Sequence, residues 1–256
     1  MEKELKTKLV EYILTVGKEI SHKAGHIKDI GVRKQWLTEE DVRIERGLHS
    51  IISEFDNDHK FYAEEENDQY FDAKSVWVAD PISGTKLFIE SKPHYAIVVS
   101  HLSRGNVDYV IVYDPSADDL YVAEEGRGIY LNDKQISRDK DSSKKKKIIF
   151  APSYTWDLEI KDTLQSKLAV NYEIFPSQGS FAVNYCLAGI GLFNGVVSLT
   201  KDSFPEFAGC YYANQSGLIA TNIKGQKDIN SDDRVFVCGE NAIYNDLLEI
   251  TKSIIL

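Results

Sequence analysis

Val76-Trp77-Val78-Ala79-Asp80-Pro81-Ile82-Ser83-Gly84-Thr85 is the stretch on which the fold of this chain turns. Trp77 and Val78 are strand formers. Asp80-Pro81 is expected to end the strand, because proline donates nothing to a ladder. Gly84 frees the backbone for a tight turn, so the amides of Ser83, Gly84 and Thr85 can converge where a helix opens. Amides at a helix start attract anions, phosphate above all. An acid beside such a cradle points to a metal ion bridging protein and phosphate. An ordinary strand–turn–helix with a capping aspartate accounts for the same letters.

Working upstream, Phe61-Tyr62-Ala63-Glu64-Glu65-Glu66 reads as a short strand running into three acids. Before it, Thr38 can cap a helix, with Asp41 answering it in a capping box. Val42, Leu48, Ile51, Ile52 and Phe55 supply that helix with its apolar face. Leu5, Leu9, Tyr12, Ile13, Val16 and Ile20 recur at helical spacing, so the chain opens on a long amphipathic helix. Between the two helices, residues 23–36 read as a polar loop in which Lys28, Arg33 and Lys34 are solvated.

Downstream, Tyr95–Val99, Val107–Tyr113 and Leu120–Ala123 are β-rich runs separated by turn residues, an antiparallel meander. Ser137 to Lys147 is polar, and its basic run Lys144–Lys147 reads as a solvated linker or, alternatively, a phosphate or nucleic-acid patch. From Ile148 strands and helices alternate, with helices starting near Asp157, Ser180, Glu206 and Asn241. Strand-rich followed by alternating is an α+β half joined to an α/β half, divided at 1–143 and 144–256.

Composition narrows the function. The chain has 256 residues, 43% hydrophobic and 27% charged, with a formal net charge of −10. That charge argues against nucleic-acid or membrane-surface binding, which needs a basic face. An acidic protein acting on an anionic substrate must neutralise charge locally, and a divalent metal does that. Cys186, Cys210 and Cys238 are far apart in apolar runs and read as reduced core thiols, not a disulfide frame. With no apolar leader and no run of membrane-spanning length, the expectation is a cytoplasmic protein.

The motifs follow one another in a telling order: Thr38-x-x-Asp41, Ala63-Glu64-Glu65, Asp80-Pro81-Ile82-x-Gly84-Thr85, Val122–Gly128, Gly179–Asn184 and Pro205–Gly209. Together they resemble the inositol monophosphatase family of magnesium-dependent, lithium-sensitive phosphomonoesterases, over nearly the whole chain. The resemblance implies a layered α-β-α-β-α sandwich and a homodimer. It implies a first Mg2+ held by Glu64, Asp80 and the carbonyl of Ile82. Asp41 and Thr85, with Glu64, would orient and deprotonate the attacking water. Ser83, Gly84, Thr85, Gly179 and Ser180 would contact the substrate, and the loop at residues 23–36, instead of being merely solvated, would lie mobile near the active site and donate another metal contact.

Two positions depart from that pattern. Ser83 stands where the family has a second aspartate, and Pro205-Glu206 where it has Trp-Asp. Both are positions of second-metal ligands in the family; Glu206 keeps the charge, whereas Ser83 is a poor magnesium ligand. Phe181 and Leu199 also replace a small residue and a glutamate, which weakens the inositol assignment unless both are simply core. The expected function is hydrolysis of a small phosphate monoester, inositol monophosphatase-like. Alternatives are a 3′-phosphonucleotide or sugar-bisphosphate phosphatase, or a catalytically weakened member that binds phosphate ligands or a protein partner.

Overall fold

The structure, a computed structural model, describes residues 3–31, 36–55, 59–63, 74–138 and 145–256. Glu64, Arg33, Lys34 and Lys144 lie outside the described residues. Helix α1 (Lys3–Ser21) buries Leu5, Leu9, Ile13, Val16 and Ile20 along one stripe, as their spacing requires. Helix α2 (Glu39–Phe55) buries Ile44, Leu48 and Ile52. Its start carries the reciprocal cap. The Thr38 amide donates to Asp41 Oδ2 at 2.8 Å, and the Asp41 amide donates to Thr38 Oγ1 at 3.4 Å.

Strand β1 (Lys60–Ala63) pairs in parallel with β2 (Ser75–Ser83). After the short helix α3 (Thr85–Ile89) the chain runs through β3 (Ala96–Ser103), β4 (Asn106–Asp114), β5 (Asp119–Glu124), β6 (Gly128–Leu131) and β7 (Lys134–Ile136). These strands form a seven-stranded sheet in sequence order, antiparallel from β2 onward. The meander read from the sequence is present. The end of β2 is not where the sequence put it. The strand continues through Asp80-Pro81 to Ser83, with a register shift between Asp80 and Ser83. Pro81 sits within that bulge, where the ladder has already lost its regular pairing and a missing N–H costs little.

The second half contributes β8 (Lys147–Pro152), α4 (Leu158–Asn171), β9 (Glu173–Pro176), α5 (Phe181–Gly189), β10 (Gly195–Leu199), α6 (Phe204–Gln215), β11 (Ile219–Asn222), β12 (Val235–Gly239) and α7 (Tyr244–Ile255). Its five strands order as β11-β12-β10-β8-β9, with β10, β8 and β9 parallel. Lys146 is not solvated: it and Arg138 both pair with Glu240, at 3.3 and 2.8 Å. Cys186, Cys210 and Cys238 are free and buried. Among the described residues no helix is long and apolar enough to cross a membrane.

The cores define the layers. Helices α1 and α2 cover one face of the first sheet through Trp77, Ile97 and Ile111. Its other face, through Val98, Val112 and Tyr121, packs on Ala182, Val183 and Cys186 of α5 and Ala208 and Tyr212 of α6. The same two helices turn Tyr185, Ala188, Cys210 and Ala213 to the second sheet at Ile149, Val196 and Phe236. Helices α4 and α7 close the far side through Leu164, Leu168 and Leu247. The result is the α-β-α-β-α sandwich expected from the resemblance. Small residues let α5 and α6 approach closely: a Cβ on Gly209 would lie 2.5 Å from Tyr185 Cδ2. Tyr185 cannot swing away easily, because its hydroxyl is bonded to Ser198 Oγ at 2.7 Å. Gly209→Ala is therefore expected to destabilise the protein by about 1–3 kcal/mol, as overpacking does. A melting experiment should read this as a fall of about 3–10 °C.

Candidate active site

Asp41 is fully buried and links the start of α2 to the turn after β2. Its Oδ2 accepts from the Thr38 amide and, at 2.5 Å, from Thr38 Oγ1. Its Oδ1 lies 3.3 Å from Thr85 Oγ1, which also donates to the Ile82 carbonyl at 2.8 Å. One hydroxyl proton is thus shared between a carboxylate and a carbonyl. Gly84, with φ +84°, makes the left-handed turn that puts Thr85 there. The helix that follows has only five residues, so its dipole adds little to the cradle anticipated at its start.

Asp80, Ser83, Gly84 and Thr85 line a cavity of about 340 Å³. Much of its remaining wall comes from the loops that leave parallel strands of the second sheet: Ser153 and Tyr154 after β8, Gly179 and Ser180 after β9, Lys201 and Asp202 after β10. Crevices outside the carboxyl ends of parallel strands are where α/β sheets bind ligands. Trp36 adds an aromatic edge, with Lys86 Nζ over its ring at 5.1 Å.

Gly179 and Ser180 are brought to Ser83 by backbone contact. The Ser180 amide donates to the His94 carbonyl at 2.7 Å, and a Cβ on Gly179 would stand 2.3 Å from that carbonyl oxygen. Ser180 begins α5 without capping it through its side chain. Its hydroxyl instead donates to Ser83 Oγ at 2.7 Å, both residues being buried. Phe181 lines the cavity, whereas Leu199 is fully buried in the core under α4 and α7.

Glu206 does not line the cavity. It stands in the first turn of α6, wholly buried. Ser198 and Thr200 are close enough to favour its ionised form, yet neither makes a well-formed hydrogen bond to it. Burial, and then the nearby charge of Asp202, push its carboxyl well above the usual range. The cavity thus brings together Asp80, Ser83, Gly84, Thr85, Gly179 and Ser180 of the anticipated residues, with Asp41 and the Ile82 carbonyl joined through Thr85. Glu206 stays off its wall, and Glu64 falls outside the described residues. Among the described residues no three acidic, histidine or cysteine side chains cluster as a ready-made metal centre. Lys201 and Asp202 were missed by reading the sequence; their place just past the end of β10 was the signal.

The model of the inositol monophosphatase family matches residues 2–255. The chain belongs to the inositol monophosphatase family. It is 21% identical over 250 residues to a fructose-1,6-bisphosphatase/inositol-1-monophosphatase of Thermotoga maritima, covering 93% of this chain and 94% of that one. It is 25% identical over 229 residues to the Nus factor SuhB of Vibrio cholerae, covering 86% and 85%. The fold matches a crystal structure of an IMPase/NADP phosphatase complexed with Mg2+ and phosphate. That match has a TM-score of 0.81 and 18% identity, over 97% of this chain and 95% of that one.

The state of Glu206 gives a testable pH dependence. Above about pH 4.5 the unfolded chain releases this proton while the folded chain keeps it, so wild-type stability falls as pH rises, by up to about 1.4 kcal/mol per unit. Glu206→Gln has no such proton. In chelator-treated protein the urea midpoint of the variant should gain on wild type as pH rises above about 5, until the folded carboxyl itself ionises. Parallel profiles would mean that Glu206 is ionised where it stands.

Proposed function

We propose that this chain is a cytoplasmic, homodimeric phosphomonoesterase that hydrolyses a small phosphorylated metabolite with the help of Mg2+. The observation that carries the reading is the Thr85 hydroxyl. It lines the cavity beside Asp80, while Asp41 Oδ1 lies 3.3 Å behind it. This is a route for a proton to leave the cavity for a buried carboxylate.

The donors on this wall are hard oxygens, the Asp80 carboxylate and the Ile82 carbonyl, with Glu64 as the family's third. They suit magnesium, which takes oxygen ligands and keeps several waters. The second position is less suited. Ser83 is neutral and already bonded to Ser180, and the Glu206 carboxyl lies off the cavity wall. These features support one well-held ion rather than two. When bound, that ion lowers the pKa of water and polarises the phosphoryl oxygens.

The chain's own groups then have defined tasks. A water beside Thr85 passes a proton to Thr85 Oγ1 as Thr85 passes its own to Asp41 Oδ1. The water oxygen attacks phosphorus, the ester P–O bond breaks, and the leaving alkoxide takes a proton from solvent. Thr38 fixes the Asp41 carboxylate in position by two hydrogen bonds, so the acceptor needs no reorganisation during the step. Gly179 and Ser180 form the wall that receives the alcohol part of the substrate, and residues 144–256 act as the subdomain that closes the site.

The Ser83–Ser180 bond also favours a second reading, a weakened member that retains phosphate binding for a regulatory role. Phosphate release from sugar, inositol and nucleotide phosphates, with and without Mg2+ and lithium, separates the two. Robust magnesium-dependent turnover of one substrate establishes the enzyme; none from a folded protein favours the binding role. Asp80→Asn is expected to remove any turnover, because it takes a carboxylate from the one well-held ion. Ser83→Asp is expected to raise turnover or lower the magnesium requirement, and a variant that did neither would sink the single-ion account.

A further inference from the structure

His94 lies between α3 and β3 and does not line the cavity. Its backbone is left-handed, with φ +64°, a conformation that a residue with a side chain keeps only where its surroundings hold it. One turn supplies that hold. The His94 amide donates to Ser116 Oγ at 2.8 Å, and the ring Nδ1 lies 2.6 Å from Asp114 Oδ2. A carboxylate only accepts, so Nδ1 carries the proton of that bond. The other oxygen of buried Asp114 accepts from the Ser116 amide at 2.9 Å and from Ser116 Oγ at 2.6 Å. The turn from β4 to β5 thus grips His94 both at its amide and at its ring.

The carbonyl of this held peptide reaches the second half of the chain. It accepts from the Ser180 amide at 2.7 Å, and a Cβ on Gly179 would stand 2.3 Å from His94 Cβ. Other bonds shape the same loop from within the second half. Asn184 Nδ2 donates to Ser177 Oγ at 2.9 Å, and the Gln178 amide donates to Asn184 Oδ1 at 2.9 Å. The His94 carbonyl ties that shaped loop, backbone to backbone, to the first half, where Ser180 Oγ meets Ser83 Oγ at 2.7 Å. Resting on the reading that this cavity takes a phosphate ester, we infer that His94 is a positioning residue: its imidazole, gripped by Asp114, holds the left-handed peptide that fixes the Gly179-Ser180 wall where the alcohol part of the substrate binds. It touches no substrate and moves no proton. A wall out of place costs affinity for the ester more than it costs the chemical step, because Thr85 and Asp41 are held by their own contacts to the Ile82 carbonyl and to Thr38.

Two substitutions separate the ring from the backbone. His94→Gly removes the imidazole and leaves a residue at ease in the left-handed region. His94→Asn also favours that region and places an amide donor close to where Nδ1 stands. Amide hydrogen exchange at Ser180, followed by NMR on the full-length, magnesium-loaded protein, should quicken by about tenfold in His94→Gly, the scale of one hydrogen bond. In His94→Asn it should stay within about threefold of wild type. On the sugar, inositol or nucleotide phosphate that the wild type hydrolyses fastest, KM should rise by about tenfold in the glycine variant with kcat within about threefold, and the asparagine variant should restore KM. Wild-type exchange in His94→Gly overturns the inference, as does faster exchange with an unchanged KM, or a fall in kcat with KM unmoved. An asparagine variant as impaired as the glycine one overturns it too, because the bond to Asp114 would then not be the agent. If the wild type hydrolyses none of these esters, the phosphatase reading fails by itself, and the exchange comparison alone upholds or overturns the hold of His94 on Ser180.

Discussion

A carboxylate with no solvent must have its lone pairs filled, and at Asp41 that requirement joins two distant parts of the chain. One oxygen is filled by Thr38 at the head of α2. The other faces Thr85, 44 residues later, at the turn where β2 becomes α3. The helix cap and the acceptor proposed for the reacting proton are therefore one side chain with two faces. The helix cannot start elsewhere without leaving a buried charge unsatisfied, which costs several kcal/mol. The turn likewise cannot shift without losing the Thr85 contact. The geometry of the site is fixed by folding before any ligand arrives.

The central layer imposes the second constraint. Helices α5 and α6 touch both sheets at once, so their small residues set how closely the sheets stand. Their first turns, at Ser180 and Glu206, consequently arrive from the second half of the chain at the residues of β2's end. Ser180 meets Ser83. Glu206 ends among Tyr185, Ser198 and Cys210, a surrounding that favours a neutral carboxyl. The extra methylene relative to aspartate lets the group reach into this apolar layer.

Much of this was legible in the residues. The α1 stripe, the Thr38–Asp41 box and the meander follow from periodicity and turn chemistry, which are local. The layer order followed from the resemblance, since no local rule stacks two sheets. What escaped notice was non-local. Pro81 argued for the end of a strand, but a bulge accommodates it within β2. Strand β11 was not anticipated, because Ile219–Asn222 is four residues long and gains its order only by pairing with β12. Lys201 and Asp202 drew no reading, because nothing in the sequence says that the end of β10 opens on the same cavity as the end of β2.

The departures from the family pattern gain meaning when taken together. A lone Asp-to-Ser change at position 83 would leave a metal site with an idle ligand position and surplus positive charge to hold. Here the hydroxyl at 83 is engaged by a hydroxyl at 180, and the acid at 206 has left the wall. An acid that has moved into the core no longer attracts a cation to the cavity, and a serine pair does not repel an anion. The hydroxyl pair at Ser83 and Ser180 and the buried acid at Glu206 are thus mutually consistent: each takes from the cavity wall an anionic ligand that a second cation would need.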